Sequence, residues 1–250
     1  MFHILRSMHL KEKAIFTGNR NSVTDYDEFI ILLPPSEGKQ EGGDNDPLEK
    51  LPRGVREVQR RFEEYEGSYQ KLVGVKGDYL EKSIEQNKNL LENPTMPAIR
   101  RYTGTLYKAL EYESLENKAY VDKHVFIMSA MFGCVSASSL IPNYKLKMQK
   151  LKAWKHWKNL TEQRFSDVFV FDVLTKTHRR SVDWTDGVKI DFETERNGKR
   201  RSAGHAGKKV KGAFVRYLAE NNVSSLQEAQ LFNDHGFAWD GESFFKPESS

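Results

Sequence analysis

The sequence predicts a mixed α/β protein, and three observations carry that expectation. Short apolar runs of strand length, at 29–35, 125–130 and 168–173, alternate with stretches whose apolar residues recur at helical spacing. The 250 residues are 38% hydrophobic, enough to bury a sizeable core and unlike a collagen-like, disulfide-scaffold or wholly disordered chain. No long linker, internal repeat or heptad tract divides the chain, so residues 29–248 are expected to form a single compact domain and residues 1–28 a peripheral extension.

Along the chain, 29–35 reads as a buried strand that stops at Pro34-Pro35 and enters a polar loop, and the Gly-, Asp- and Glu-rich stretch 40–52 as exposed loop. Val55, Val58, Phe62 and Tyr65 recur at helical spacing among charges, predicting an amphipathic helix over 55–69. Further helices are expected over 79–91 and 101–110, then a strand at 125–130 and a Gly- and Ser-containing loop at 131–139. A basic, Trp-containing segment at 145–158 leads to a helix ending near Phe165, followed by a buried strand at 168–173. Residues 188–195 before Asn197-Gly198 look like half of a hairpin, and 208–222 like a helix.

Lys and Arg total 39 against 35 Asp and Glu, a net charge of +4 that is too mild to announce nucleic-acid binding, so the location of charge matters more than its sum. Cys134 is the one cysteine, which excludes an intramolecular disulfide framework or a multi-cysteine metal site and suits a reducing compartment; the cytoplasm is the expected location. No run approaches the roughly 18 to 20 apolar residues of a membrane span, and no secretory signal pattern opens the chain. The histidines are scattered without metal-ligand spacing, so neither a metal site nor a cofactor is expected.

Four constellations could carry function. Leu72-Val73-Gly74-Val75-Lys76-Gly77 lies between two helical patterns and resembles the hairpin of a helix-hairpin-helix element, whose glycines let backbone amides approach a phosphate; the plain alternative is a helix-to-helix turn with a capping glycine. The interval 199–216 holds Lys199, Arg200, Arg201, Lys208, Lys209, Lys211 and Arg216 with no acid, suited to a polyanion or, equally, to a solvated face balanced by Glu193 and Glu195. Lysines interleave with Tyr144, Trp154 and Trp157 at 145–158, where the tryptophans are read as packing residues ringed by snorkelling lysines rather than as base-stacking platforms. Ser36 and Lys39 have Ser-x-x-Lys spacing in a proline-led loop, a candidate anion site.

Taken in order, Leu32-Leu33-Pro34-Pro35-Ser36-Glu37-Gly38-Lys39, Tyr102-Thr103-Gly104-Thr105-Leu106-Tyr107, Ser129-Ala130-Met131-Phe132-Gly133, Ile141-Pro142-Asn143-Tyr144-Lys145-Leu146 and Lys208-Lys209-Val210-Lys211-Gly212 resemble the YaaA family of bacterial peroxide stress-response proteins, within its Pro-Pro-Ser-Glu-Gly-Lys branch. The resemblance implies a single α/β-type domain of the cantaloupe fold, a positively charged cleft, a helix-hairpin-helix element and cytoplasmic binding of DNA. On that reading Gly74, Lys76, Gly77, Lys199, Arg200, Arg201, Lys208, Lys209, Lys211 and Arg216 hold duplex or mismatched DNA with little sequence preference. A second reading is an enzyme acting on a nucleotide or damaged nucleic acid, with Ser36, Glu37, Lys39, Tyr102, Tyr107, Ser129 and Lys208 around a pocket beside the groove.

Overall fold

The structure, a computed structural model, describes residues 28–161, 165 and 168–248, so the expected extension at 1–28 lies outside the described residues but for Glu28. In chain order the elements are β1 (Phe29–Leu33), α1 (Arg53–Glu63), α2 (Tyr69–Val73), α3 (Asp78–Lys88), β2 (Thr95–Pro97), α4 (Ala98–Arg101), α5 (Thr105–Leu110), α6 (Lys118–His124), β3 (Val125–Ser129), β4 (Gly133–Ser136) and β5 (Leu140–Pro142). They continue with α7 (Ala153–Thr161), β6 (Phe169–Asp172), α8 (Lys176–Arg179), β7 (Gly187–Lys189), β8 (Phe192–Arg196), β9 (Lys199–Ser202), α9 (Gly204–Glu220), α10 (Leu226–Gln230), β10 (Asn233–Asp234), β11 (Phe237–Trp239) and β12 (Phe244–Lys246). The mixed α/β class expected from the sequence is what forms.

The principal sheet has the order β4-β3-β1-β6-β7. β1 pairs in parallel with β3 and β6, and β7 runs parallel to β6, while β4 returns antiparallel to β3. Covered on both faces, β1 is buried along its whole length, which is why its sequence is a continuous apolar run rather than an alternating one. It ends at Pro34-Pro35, since proline has no N–H to give a ladder.

Three expectations are corrected. The helix expected over 55–69 is cut: α1 ends at Glu63, and the chain restarts as α2 from a Ser68 cap, with the Tyr69 hydroxyl bonding the Phe62 carbonyl. The helix expected over 101–110 is broken at Tyr102–Gly104 because Gln40 N–H donates to Arg101 O and Thr103 N–H to Gly38 O, drawing these residues into a bridge with the loop after β1. The stretch 131–139, read as loop, contains β4, with Gly133 at φ +70° turning the chain back along β3.

The residues read as one half-hairpin, 188–195, divide between β7 in the first sheet and β8 in a second one, β10-β11-β12-β8-β9. The turn at Asn197-Gly198 does join β8 to β9, both residues taking positive φ as a tight primed turn requires. Phe192, Phe214, Phe232 and Phe244 fill the space between this sheet and α9. α9 also crosses α5 closely at Gly212, where a Cβ would come within 2.1 Å of the Leu106 carbonyl oxygen.

Candidate functional site

β3, β1 and β6 are parallel, so their carboxyl ends share one edge of the sheet. The chain leaves β1 toward β3 on one side and leaves β6 toward β7 on the other, so the order reverses between β1 and β6, where open α/β sheets characteristically bind ligands. Over β1 and its neighbour β3 stand the loop Pro34–Lys39, Ser129 at the end of β3, Tyr102 and Tyr107 flanking the start of α5, and Tyr144 beyond β5. Six of the seven sequence-derived pocket candidates, Ser36, Glu37, Lys39, Tyr102, Tyr107 and Ser129, therefore belong to one neighbourhood, whereas Lys208 stands exposed on α9.

Hydrogen bonds tie them together. Ser36 Oγ accepts from Gly104 N–H (3.1 Å) and donates to Gly38 O (2.6 Å), and a Cβ on Gly104 would lie 2.6 Å from the Ser36 Cβ, so the approach needs glycine. The Tyr107 hydroxyl donates to Pro34 O at 2.9 Å. Phe132 N–H donates to Ser129 Oγ, which donates to the Tyr144 hydroxyl at 2.9 Å, and that hydroxyl lies 2.9 Å from the hydroxyl of Tyr102. Burial raises the pKa of all three tyrosines, well above the ordinary value for Tyr102 and Tyr107, so they are neutral hydroxyls at physiological pH.

Lys39 is half-buried within this cluster. Its Nζ donates to Ser36 O (3.2 Å) and lies 4.3 Å from the centroid of the Tyr144 ring and 5.5 Å from that of Tyr102. Among the described residues it forms no ion pair, and burial, with repulsion from Lys145, brings its ammonium down to about 7. The nearby carboxylate, exposed Glu37, is turned to Lys147 (3.1 Å) and more distantly to Lys145 (4.0 Å); the hydrogen bond from Lys147 holds its pKa below the ordinary carboxylate range.

Beneath the loop lies Arg101, fully buried. Among the described residues its guanidinium donates to the carbonyls of Gln40, Gly42, Pro94 and Ile141, meets no carboxylate, and leaves Nε unpartnered. Burial lowers even this guanidinium, to about 10. Arg101 is absent from the sequence-derived candidates because it reads as the second of two basic residues at a helix start, whereas Tyr144 and Lys145 appear in the basic aromatic segment and in the Ile141-Pro142-Asn143-Tyr144-Lys145-Leu146 stretch of the family resemblance, without a site role.

The expected backbone-binding residues divide. Gly74 (φ +77°) caps α2 and Gly77 (φ +58°) caps α3, with exposed Lys76 between them. The Lys147 amine reaches this turn as well as Glu37, for its Nζ lies 3.2 Å from where a Cβ on Gly74 would stand. Asp78 and Glu81 occupy the first turn of α3. Lys199, Arg201, Lys208 and Lys209 are exposed, whereas Arg200 is held by Glu193 (3.0 Å) and Asp240 (2.7 Å) and Arg216 by Glu220 (2.7 Å). Lys211 donates to Val173 O (2.7 Å) and Leu174 O (3.2 Å) at the end of β6, and burial brings its ammonium to about 8. Of the two tryptophans at 145–158, Trp157 is buried and donates to Ala130 O, and Trp154 packs partly buried under Arg180, as expected for packing residues.

The parallel strands and the polar cluster at their carboxyl edge define a mixed α/β protein with a lysine and tyrosine site beside the point where strand order reverses. Comparison with known proteins then fixes the family: the chain belongs to the peroxide stress protein YaaA family, which it matches over residues 29–243. It is 32% identical over 211 residues to a UPF0246 protein of Corynebacterium glutamicum strain R, covering 76% of this chain and 85% of that one. A UPF0246 protein of Francisella philomiragia is 25% identical over 168 residues, 58% of this chain and 65% of its own length.

Proposed function

We propose that this chain binds the DNA backbone as part of the peroxide stress response, holding it at a helix-hairpin-helix-like element formed by α2, the 74–77 turn and α3. The observation that carries the reading is the pair of left-handed glycines around exposed Lys76, with Lys147 alongside. Such a turn offers backbone amides without Cβ obstruction, next to two ammonium groups. The N–H of Gly74 closes α2 on Gln70 O, so the Val75, Lys76 and Gly77 amides are the ones offered to a phosphate. Asp78 and Glu81 repel anions from the axis of α3 and direct the backbone to the Lys147 side. Exposed Lys199, Arg201, Lys208 and Lys209 extend the electrostatic footprint without reading bases.

Roughly four to six phosphate contacts give a log affinity against log salt slope of about −4 to −5, so raising salt from about 50 to 200 mM weakens binding more than about a hundredfold, for duplex and mismatched DNA alike. Fluorescence anisotropy across that range checks it, and a flat salt response refutes it. Lys76→Ala with Lys147→Ala lowers both affinity and slope.

The second reading, an enzyme acting on damaged nucleic acid, is favoured by the convergence of Ser36, Lys39, Tyr102, Tyr107 and Ser129 at the carboxyl edge of the sheet. Backbone binding alone does not require a buried chain of hydroxyls beside an unpaired lysine.

A further inference from the structure

We propose that Lys39 is an amine nucleophile that condenses reversibly with an aldehyde, and that the aldehyde it takes is the ring-opened sugar of a base-less site in DNA. The inference rests on the second reading above and names its substrate class. Its geometric basis is what surrounds the amine. Lysines in proteins stay charged when a carboxylate or water holds them; here Nζ meets one carbonyl, Ser36 O, and the face of the Tyr144 ring, while Glu37 is engaged by Lys147. Lys145 and buried Arg101 add positive charge nearby, and the resulting pKa of about 7 leaves a large fraction of neutral amine at physiological pH.

The chemistry needs no oxidant or metal. The Nζ lone pair attacks the aldehyde carbon, a C–N bond forms, and the carbonyl π pair moves to oxygen, which takes up a proton. The nitrogen gives up one proton to form the neutral carbinolamine, whose hydroxyl takes up a second proton and departs as water while the nitrogen lone pair closes the C=N bond of a protonated imine; hydrolysis reverses both steps and returns amine and aldehyde. Neutral Tyr102, Tyr144 and Ser129 hydroxyls, linked in a chain, can relay the protons. An intact nucleotide offers an amine no comparable carbonyl carbon, whereas a sugar that has lost its base opens to an aldehyde and asks for no base pocket. Lys147, placed between Glu37 and Gly74, joins the site to the hairpin, so a backbone resting on the hairpin brings a neighbouring sugar to the loop after β1.

The test uses the full chain with a duplex carrying one base-less site and, in a parallel arm, 2-deoxyribose 5-phosphate, each with borohydride to reduce the imine. The expected result is a covalent adduct in both arms, mapped by mass spectrometry to Lys39, with a rate that rises through a midpoint near pH 7 rather than near the ordinary lysine value. Lys39→Arg, which keeps the charge, loses the adduct while retaining a cooperative thermal transition. An absent adduct in both arms, or one that maps elsewhere and persists in Lys39→Arg, overturns the proposal. Trapping of the free sugar without the duplex keeps the nucleophile but overturns the DNA substrate. Affinity of the unaltered chain for intact duplex, measured alongside, reports the backbone-binding reading independently.

Discussion

Cations gather in two regions of this molecule, and they meet different partners. Around the β8–β9 hairpin and the end of β6, arginines meet carboxylates: Arg200 with Glu193 and Asp240, Arg179 with buried Asp172 and with Asp191. Over the ends of β1 and β3, Arg101 and Lys39 meet backbone carbonyls and tyrosine rings instead. In the first region these pairs cancel charge locally, while Lys199, Arg201, Lys208 and Lys209 stay exposed around them. In the second the positive charge stays uncompensated, which suits an anionic ligand and depresses the lysine that shares the space. A basic stretch in sequence thus says less about binding than the partners its cations find.

The contrast can be broken most severely at Arg101. Arg101→Met leaves buried carbonyls without donors and is expected to cost about 3–5 kcal/mol in denaturant unfolding. Arg101→Lys restores only part of that, because a single ammonium cannot span the carbonyls that a planar guanidinium reaches. Next comes Gly212, where α9 of one region crosses α5 of the other: Gly212→Ala drives a Cβ into the Leu106 carbonyl and is expected to lose about 3 kcal/mol, with Tyr107 and Gly104 displaced together.

A smaller effect sharpens the comparison through pH. Lys39 titrates at about 7 in the folded chain against 10.5 ordinarily, so between those values the unfolded chain binds more protons and stability climbs with pH, a contribution lost as pH falls through 7. Lys211, at about 8, adds a slope of the same sign above that value. Lys39→Met is expected to flatten the rise by on the order of 2 kcal/mol, read from urea midpoints between pH 7 and 10. Least affected is Arg200→Met: exposed ion pairs contribute little, so the thermal midpoint should stay close to that of the parent.

Much of the frame was legible because it follows from local rules. β1 declares itself as an unbroken apolar run, and β3 and β6 as apolar runs closed by Ser129 and Asp172, since strands covered on both faces have little polar side to show. The Asn197-Gly198 turn is equally plain. What could not be read depends on distant partners. The break at Tyr102–Gly104 exists because residues 38–40 pair there, and nothing in 101–110 itself opposes a helix before Gly104. β4 hides in a Gly- and Ser-containing stretch that becomes a strand only against β3. In the site, the residue types of the loop and the tyrosines drew attention early, whereas the burial of Arg101 is a property of four carbonyls from separate segments, invisible beside its exposed neighbour Arg100.

The central position of β1 has a consequence for how the chain acquires its shape. Ile31 pairs with Val125 on one side and with Phe171 on the other, so the first strand waits for neighbours far along the chain. Closing such long loops before any pairing is gained slows folding, and refolding is expected on the millisecond-to-second scale typical of non-local topologies. During synthesis the Phe29–Leu33 segment has neither edge partner until Val125–Ser129 has been made, and its second edge waits for Phe169–Asp172. That interval is when the nascent chain is most exposed to aggregation and most in need of a chaperone.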